Sequence, residues 1–345
     1  MDTKTIAIIE AGNRTTWDAF VTKNPTANFL QSWDFYEFHL SRGKKVVRKI
    51  AVDASGQIIG AYAGVVETAK RGTHLAIAGG PILDWKNQSL VKQIFADIRS
   101  EGKRHHCVFV RIRPQLELSQ KALHLFENTL GLKKAPMYLS VEYAGIIDLT
   151  QPEETILKNA SQGFRRKLRK AQKNNLTVEV SSDNSAITDF CQLESLHAAR
   201  QGYVPFSKEF LTKQFQAFAR HNEVKIYTAK KDGQILAMNF IIFYGHEASY
   251  HYGVSSELGT KYSAAPLLHL EAMREARKRG ITRYNLWGIV GKTETTHRFY
   301  GVSEFKRSFG CAELKYLPAH DLILSPTRYQ ITKLIESARK KHRRV

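Results

Sequence analysis

The sequence predicts an α+β fold built as two tandem copies of one unit. Three observations carry that prediction: one order of elements occurs twice, the composition is ordinary for a globular protein, and the length suits about two domains. The 345 residues are 43% hydrophobic and 24% charged, which excludes disordered, collagen-like and low-complexity classes. With 52 Lys and Arg against 32 Asp and Glu, the formal charge is +20. A field this positive favours nucleic acid, anionic lipid headgroups or phosphorylated small molecules.

In the first copy, TTWDAFVTK and the segment from Phe35 to Arg42 read as helices. VVRKIAV (Val46 to Val52) reads as a strand, DASGQ as a turn and IIGAYAGVVE (Ile58 to Glu67) as its hairpin partner. A third apolar stretch, THLAIAGGPIL, precedes a helix around SLVKQIFADIRSEG and a strand CVFVRI (Cys107 to Ile112). In the second copy, SAITDFCQLESLHAARQ and KEFLTKQFQAFARH are the leading helices. EVKIYTA (Glu223 to Ala229), the turn KKDGQ and ILAMNFIIFY (Ile235 to Tyr244) form the hairpin; EASYHYGVS, the helix SAAPLLHLEAMREARKRG and the strand TRYNLW (Thr282 to Trp287) complete it. Gly56-Gln57-Ile58-Ile59 corresponds to Gly233-Gln234-Ile235-Leu236, an offset of 177 positions.

This helix, meander, helix, strand order is that of the GNAT-like (acyl-CoA N-acyltransferase) fold, so the chain reads as tandem GNAT-like domains. The expected boundaries are 1–150 and 151–316, with 317–345 a basic helical segment packing on the first domain. Members of that fold that use acyl-CoA place a Gly-rich loop, Q/R-x-x-G-x-G/A, between the third core strand and the following helix, where N–H groups hold pyrophosphate. The connections here, GGPILDWKNQS and GVSSELGTKYSAA, lack that pattern, so no coenzyme A is expected. Gly253 and Gly259 are expected to serve turns.

Cys107, Cys191 and Cys311 stand singly, without CxxC or Cys/His ligand spacing, which indicates neither a disulfide framework nor a metal site. A reducing cytoplasm fits. The apolar stretch near the N-terminus is too short for a signal-peptide core, and no run approaches the ~18 apolar residues of a membrane span. Two runs concentrate the cations. Arg165, Arg166, Lys167, Arg169, Lys170 and Lys173 lie in GFRRKLRKAQK with no acid between them, and the tail SARKKHRRV carries Arg339, Lys340, Lys341, Arg343 and Arg344. They are candidates for phosphate-backbone contact; the alternative is a pair of solvated helix faces.

Several blocks together resemble a known family: NFLQSWDFYEF (Asn28 to Phe38), AGGPILD (Ala78 to Asp84), RRKLRKAQKNNLTVEV, AARQGY (Ala198 to Tyr203), YHYG (Tyr250 to Gly253) and YNLWGI with YGVSEFKRSFG (Tyr300 to Gly310). The chain resembles the Fem-type (FemABX) aminoacyl-tRNA-dependent peptidyltransferases that build branches on peptidoglycan stem peptides. F-K-x-x-F-G is the most specific block. Larger members carry a long coiled-coil arm, and no such heptad run occurs here, so the compact subtype is implied. The resemblance implies an aminoacyl group taken from aminoacyl-tRNA and joined as an amide to a UDP-linked or lipid-linked muramyl peptide. The tRNA is then a co-substrate and no cofactor is required; contact with an anionic membrane surface and a monomeric state are expected.

An aminoacyl ester is already activated, and no convincing Ser/His/Asp or Cys/His arrangement occurs. What the chemistry still needs is a neutral acceptor amine, an attack geometry and a stabilised oxyanion. Holding an amine of pKa ~10.4 neutral at pH 7 costs ~4.6 kcal/mol, which a positive field lowers. Lys306, flanked by Phe305 and Phe309, is the expected catalytic residue, a fixed charge at the edge of an apolar pocket; the family resemblance implies that role. The alternative is a surface lysine on the final strand. Phe305 would shape the pocket.

The family match also places Arg200 against an acceptor diphosphate, where its fork suits phosphate oxygens; a helix C-terminal cation complementing the dipole is the plainer reading. Tyr203, Tyr250 and Tyr252 are candidates for the acceptor groove; strand alternation puts Tyr250 and Tyr252 on one face, and the alternative for both is a pair of half-buried strand aromatics. Two positions depart from the family. His39 stands where compact relatives carry a lysine, so the second phosphate-binding cation is missing or pH-dependent, and Arg113-Pro114 replaces Asp-Pro. Both leave the acceptor open. His297 and Glu304 are weaker candidates for a general base. Rival readings are a GNAT-fold N-acyltransferase with another donor or acceptor, and a catalytically silent nucleic-acid-binding tandem.

Overall fold

A computed structural model describes the protein over residues 6–69 and 72–343, the side chains from residue 339 onward excepted. In chain order the elements are β1 (Ala7–Glu10), α1 (Arg14–Val21), α2 (Trp33–Ser41), β2 (Lys45–Val52), β3 (Ile58–Ala69), β4 (Gly72–Gly79), β5 (Ile82–Leu83), α3 (Gln88–Arg104), β6 (Phe109–Pro114), α4 (Gln120–His124) and β7 (Lys133–Lys134). Then come β8 (Tyr143–Asp148), α5 (Glu153–Asn159), α6 (Gln162–Lys173), β9 (Thr177–Ser181), α7 (Asn184–Gln201), α8 (Lys208–Ala219), β10 (Val224–Lys231), β11 (Gln234–Tyr244) and β12 (Glu247–Ser255). The last are α9 (Glu257–Tyr262), α10 (Ala264–Lys278), β13 (Arg283–Gly288), α11 (Tyr300–Arg307), β14 (Ala312–Lys315), β15 (His320–Ile323) and α12 (Pro326–Arg343).

The chain divides into two compact units, residues 1–142 with 315–345, and residues 143–314. The break expected after residue 150 comes too late: β8 pairs antiparallel with β13, Ile147 opposite Tyr284, and so belongs to the second unit. The segment from residue 315 onward joins the first unit, where β15 lies between β6 and β7. Among the described residues the first sheet runs β1-β2-β3-β4-β6-β15-β7 with β5 beside β3, and the second β14-β8-β13-β12-β11-β10-β9. No described helix is long and apolar enough to cross a membrane.

Each unit repeats one pattern. A hairpin (β2–β3, β10–β11) adds a third antiparallel strand (β4, β12), a helix follows (α3, α10), and the next strand (β6, β13) runs parallel to the third. The helices form where the apolar period demands it. In α3, Leu90, Val91, Ile94, Phe95 and Ile98 make one buried stripe, and Asn87 caps the first turn by accepting from the Leu90 N–H at 3.0 Å. In α10 the buried face includes Leu267, Leu268, Leu270, Ala272, Met273 and Ala276.

Gln31, in the QS pair of the sequence, has a structural task in the first unit. The β3–β4 ladder ends at Val65 opposite Ala76. Beyond it, the Gln31 side chain stands in for the missing rungs: Oε1 accepts from the Ala63 N–H at 3.2 Å, while Nε2 donates to the Ala78 carbonyl at 2.6 Å. A side chain on Gly80 would press on Gln31 Oε1 at 2.6 Å, which accounts for the glycine pair before Pro81. Gln31→Leu leaves the Ala63 N–H and the Ala78 carbonyl buried and unpaired. It should cost about 2–4 kcal/mol in urea unfolding followed by tryptophan emission, since the buried Trp17 indole N–H donates to the Gln31 carbonyl at 2.7 Å.

Candidate functional site

In the second unit β12 and β13 run side by side from Glu247 opposite Arg283 to Ser249 opposite Asn285 and pair no further. Past that point both strands become irregular. On β12, Ile241 stands opposite Tyr250 and Phe240 opposite Tyr252, which leaves His251 as the extra residue of a bulge. On β13 the ladder with β8 shifts between Asn285 and Gly288, where Trp287 adopts a φ of +65°. A bulky side chain holds that left-handed conformation only where its surroundings enforce it. Here the Trp287 N–H donates to Asn285 Oδ1 at 2.8 Å and Asn285 Nδ2 donates to Glu247 Oε1 at 3.1 Å. Glu247 also accepts from Ser249 Oγ at 2.7 Å and pairs with Arg283 at 2.7 Å. Both Glu247 and Asn285 are buried.

This arrangement presents the Gly288 carbonyl to Lys306, whose Nζ donates to it at 2.7 Å. Lys306 is on helix α11, not on a strand, and it is only 7% exposed. The α11 register turns Ser303 and Lys306 inward, and Ser303 Oγ accepts from the Val290 N–H at 3.0 Å, tying the helix to the loop after β13. Around the lysine stands a wall of rings. Its Nζ lies 5.7 Å from the Tyr250 ring centre, Tyr250 meets His269 edge-on at 4.4 Å, and His269 meets Phe309 at 4.7 Å and Phe305 at 5.8 Å. Phe305 therefore packs where the sequence placed it, beside the lysine and against Phe309 at 5.2 Å.

Burial lowers the Lys306 pKa from 10.5 to about 7, because one carbonyl and an aromatic wall replace the water around an ammonium. Burial also lowers His269 to about 3, with the Lys306 charge assisting, so that imidazole is neutral and its Nδ1 shares a hydrogen bond with the Tyr284 hydroxyl at 2.8 Å. The folded pKa of Lys306 lies below the unfolded one. The cost of holding its charge is therefore complete below about pH 7 and fades as pH rises toward 10.5. Replacing the ammonium by Lys306→Met should stabilise the protein most at pH 6, by up to ~5 kcal/mol, and progressively less toward pH 10. Urea midpoints of both proteins across that range measure the gap; a constant gap would mean that the lysine does not titrate there.

The bulge overturns one expectation. Because His251 intervenes, Tyr250 and Tyr252 face opposite sides of the sheet: Tyr250 joins the α10 and α11 side, while Tyr252 meets Phe240 at 5.5 Å and Phe206 at 5.7 Å on the α7 and α8 side. Gly253 is no turn residue either. Any side chain there would overlap the Tyr250 ring, so its bareness lets Tyr250 lie along the strand. Gly259 lies against the Leu236 carbonyl within α9, which occupies the β12–α10 connection.

Arg200 ends helix α7, exposed, with Nη2 donating to the Ser255 carbonyl at 2.7 Å and 3.0 Å from His197 Nδ1. It makes no ion pair with a described residue, so the remaining nitrogens of its fork face solvent. Tyr203 donates to Glu194 Oε1 at 2.9 Å, and burial raises the Glu194 carboxyl above its usual value. Arg200, Tyr203 and Tyr252 thus group beside the end of β12 on one face, and Lys306, Tyr250 and Phe305 group on the other.

His39 belongs to the first unit and is no second phosphate cation. Burial first, then Arg42 and Lys44, lower its pKa to about 3, and its ring packs on Phe35 at 4.8 Å and Phe38 at 4.9 Å. Arg113 is buried in the same unit, where it donates to Ser140 Oγ at 2.6 Å and lies 5.0 Å from the Tyr316 ring centre. The two weaker base candidates are taken up locally, since His297 Nδ1 accepts from the Phe299 N–H and Glu304 pairs with Arg307 at 2.9 Å.

The basic run forms helix α6, which buries Phe164, Leu168 and Ala171. Arg165 is not part of its free face: it is half-buried and donates to the Lys158 and Ala160 carbonyls at the end of α5. Arg166, Lys167, Arg169, Lys170 and Lys173 are exposed and pair with no described acid. The side chains of the basic tail from Arg339 lie outside the described residues.

Sequence reasoning missed Asn285, Glu247, Trp287 and His269. Asn285 and Trp287 stood in the quoted YNLWGI block without a role, and nothing in the sequence announces a left-handed tryptophan.

Two units, each with a parallel strand pair framed by a meander and a crossover helix, define a tandem GNAT-like protein of the α+β class. An acetyltransferase (GNAT) domain profile matches residues 158–307 and a FemAB family profile matches residues 13–129. The chain is 21% identical over 382 residues to aminoacyltransferase FemA of Staphylococcus aureus (strain MRSA252), covering 87% of this chain and 91% of that protein. It is 19% identical over 396 residues to lipid II:glycine glycyltransferase of the same strain, covering 92% and 93%. The crystal structure of FemX superposes with a TM-score of 0.87 at 19% identity, over 96% of this chain and all of that one. The chain is thus similar to Fem-type proteins over most of its length and has the tandem GNAT-like fold.

Proposed function

We propose that this protein is an aminoacyltransferase that joins an aminoacyl group from aminoacyl-tRNA to an amine of a peptidoglycan-precursor stem peptide. The observation that carries the reading is Lys306, a buried ammonium held by one main-chain carbonyl inside an aromatic wall. Its likeness to an aminoacyltransferase and to a glycyltransferase acting on lipid II supports the acceptor class. In the step, the acceptor nitrogen forms a bond to the ester carbonyl carbon and the carbonyl electron pair moves to oxygen. The carbon–oxygen bond to the ribose then breaks, and the ribose oxygen leaves with the proton the amine gives up. Lys306 supplies positive charge to the oxyanion, in a site where few waters screen it. Arg200, with free nitrogens at the end of α7, serves a phosphate of the acceptor.

The test is incubation with a mixed aminoacyl-tRNA pool and purified muramyl-peptide precursors, reading the mass added to the acceptor. Lys306→Ala should lose ~10²- to 10³-fold in kcat while circular dichroism stays native. Because Lys306 titrates near 7, kcat/KM of the wild type should fall above about pH 7. Lys306→Arg should recover part of the rate and lack that falling limb, since a guanidinium stays charged. Near-normal turnover by the alanine variant at saturating substrates would remove the lysine from the chemistry.

For the tRNA, helix α6 offers an unpaired basic face. Reversing Arg166, Arg169 and Lys170 to Glu should weaken tRNA binding and flatten the log–log salt dependence by about two, read in filter binding. Unchanged binding across salt would make that face merely solvated.

A further inference from the structure

Helix α12 is amphipathic in an inverted sense. Its buried face is polar: Tyr329, Thr332 and Glu336 point into the first unit. There Glu336 pairs with Arg111 at 2.7 Å, Arg111 is bidentate to Asp321 at 2.8 Å, and the Tyr329 hydroxyl donates to Asp321 Oδ2 at 2.9 Å. The outward face carries an apolar stripe. Ile331 is 59% and Leu334 72% exposed, and Ile335 and Ala338 continue the stripe at the i, i+3, i+4, i+7 spacing of one helix side. A helix that needed only to close the first unit would have its aliphatic residues on the other side.

The charge beside this stripe has one sign. Arg328 and Lys333 are exposed and pair with no described acid, and Glu336, the acidic residue of α12, is spent on Arg111. The sequence continues into five cations within the six residues 339–344. Exposed aliphatic side chains next to clustered cations match a layer that is anionic at its surface and hydrocarbon beneath. An RNA would reward the cations and leave Ile331 and Leu334 in water; an acidic protein would do the same along most of the stripe.

We propose that α12 is an interfacial anchor that lays its Ile331–Leu334 stripe on an anionic lipid surface. Attraction of the cations, each adding about fivefold to partitioning, brings the helix down, and the stripe then enters the acyl boundary. The proposal stands apart from the transfer reaction, since neither residue belongs to the site around Lys306 or Arg200.

The test is co-sedimentation of the full chain with vesicles of phosphatidylcholine alone and of phosphatidylcholine with an equal share of phosphatidylglycerol. Binding is expected only to the anionic vesicles. Paired Ile331→Glu and Leu334→Glu substitutions should lower it at least tenfold while thermal melting and turnover on a soluble acceptor stay as in the wild type. Leu334→Trp should add an emission component that shifts to the blue with anionic vesicles and stays put with neutral ones. Reversal of Arg166, Arg169 and Lys170 on α6 should leave vesicle binding within about twofold. The proposal is overturned if the wild type ignores phosphatidylglycerol or if the double variant sediments as well as the wild type. It is equally overturned if the double variant loses tRNA affinity, or breaks up a dimer in light scattering, with vesicle binding kept.

Discussion

One ammonium against one main-chain carbonyl is the contact on which the second unit is organised. Lys306 could lie on a surface at no cost; instead α11 turns it inward, where burial works against its charge. Keeping the Gly288 oxygen in place requires the left-handed Trp287, which requires the Asn285 side chain, which in turn leans on Glu247 and Arg283. The left-handed Trp287 and the buried ammonium oppose folding locally and are sustained by these polar contacts and by the well-packed layer of α10 and β11. Strain of this kind in a chain that otherwise follows its local preferences sets this place apart from the rest of the fold.

The two copies open at different points of the pattern. In the first unit the gap lies between the second and third strands of the meander, while β4 stays paired with β6 as far as Gly79 opposite Pro114; in the second it lies between the third strand, β12, and the parallel strand β13. The first unit closes the gap with the Gln31 amide, which satisfies backbone groups on both sides and leaves an interior. The second leaves the strands apart beyond Ser249 and Asn285 and lines the opening with Tyr250, His251 and Trp287. The gap of the first unit is thus filled by a bridging side chain, and that of the second is lined by rings.

What could be read from the sequence was what repeats or alternates. The hairpins, the crossover helices and the closing strands of both copies announce themselves by period and by turn residues, and F-K-x-x-F-G marks Lys306. Features that depend on one residue out of register were hidden. The extra His251 sends Tyr250 and Tyr252 to opposite faces although their spacing says otherwise. β8 is a short strand whose partner β13 lies far along the chain, so the domain break was set too late. Charge was read as available at Arg165, which is committed to the end of α5, and as missing or pH-dependent at His39, which burial holds neutral. Neither fact follows from residue type, since both depend on which neighbours the fold supplies.

The path of the chain through the first sheet bears on how the protein is made. β15 sits between β6 and β7, and Arg111 on β6 finds Asp321 and Glu336 only in the last stretch of sequence. A ribosome delivers β6 before β15 with the whole second unit between them, so the first unit has an open edge and an uncompensated arginine until the strands of the second unit have been made. The first unit therefore completes itself only once the second has been synthesised. Premature termination near residue 315 would spare the unit that holds Lys306 and cripple the one encoded first, the reverse of the usual polarity of truncation damage.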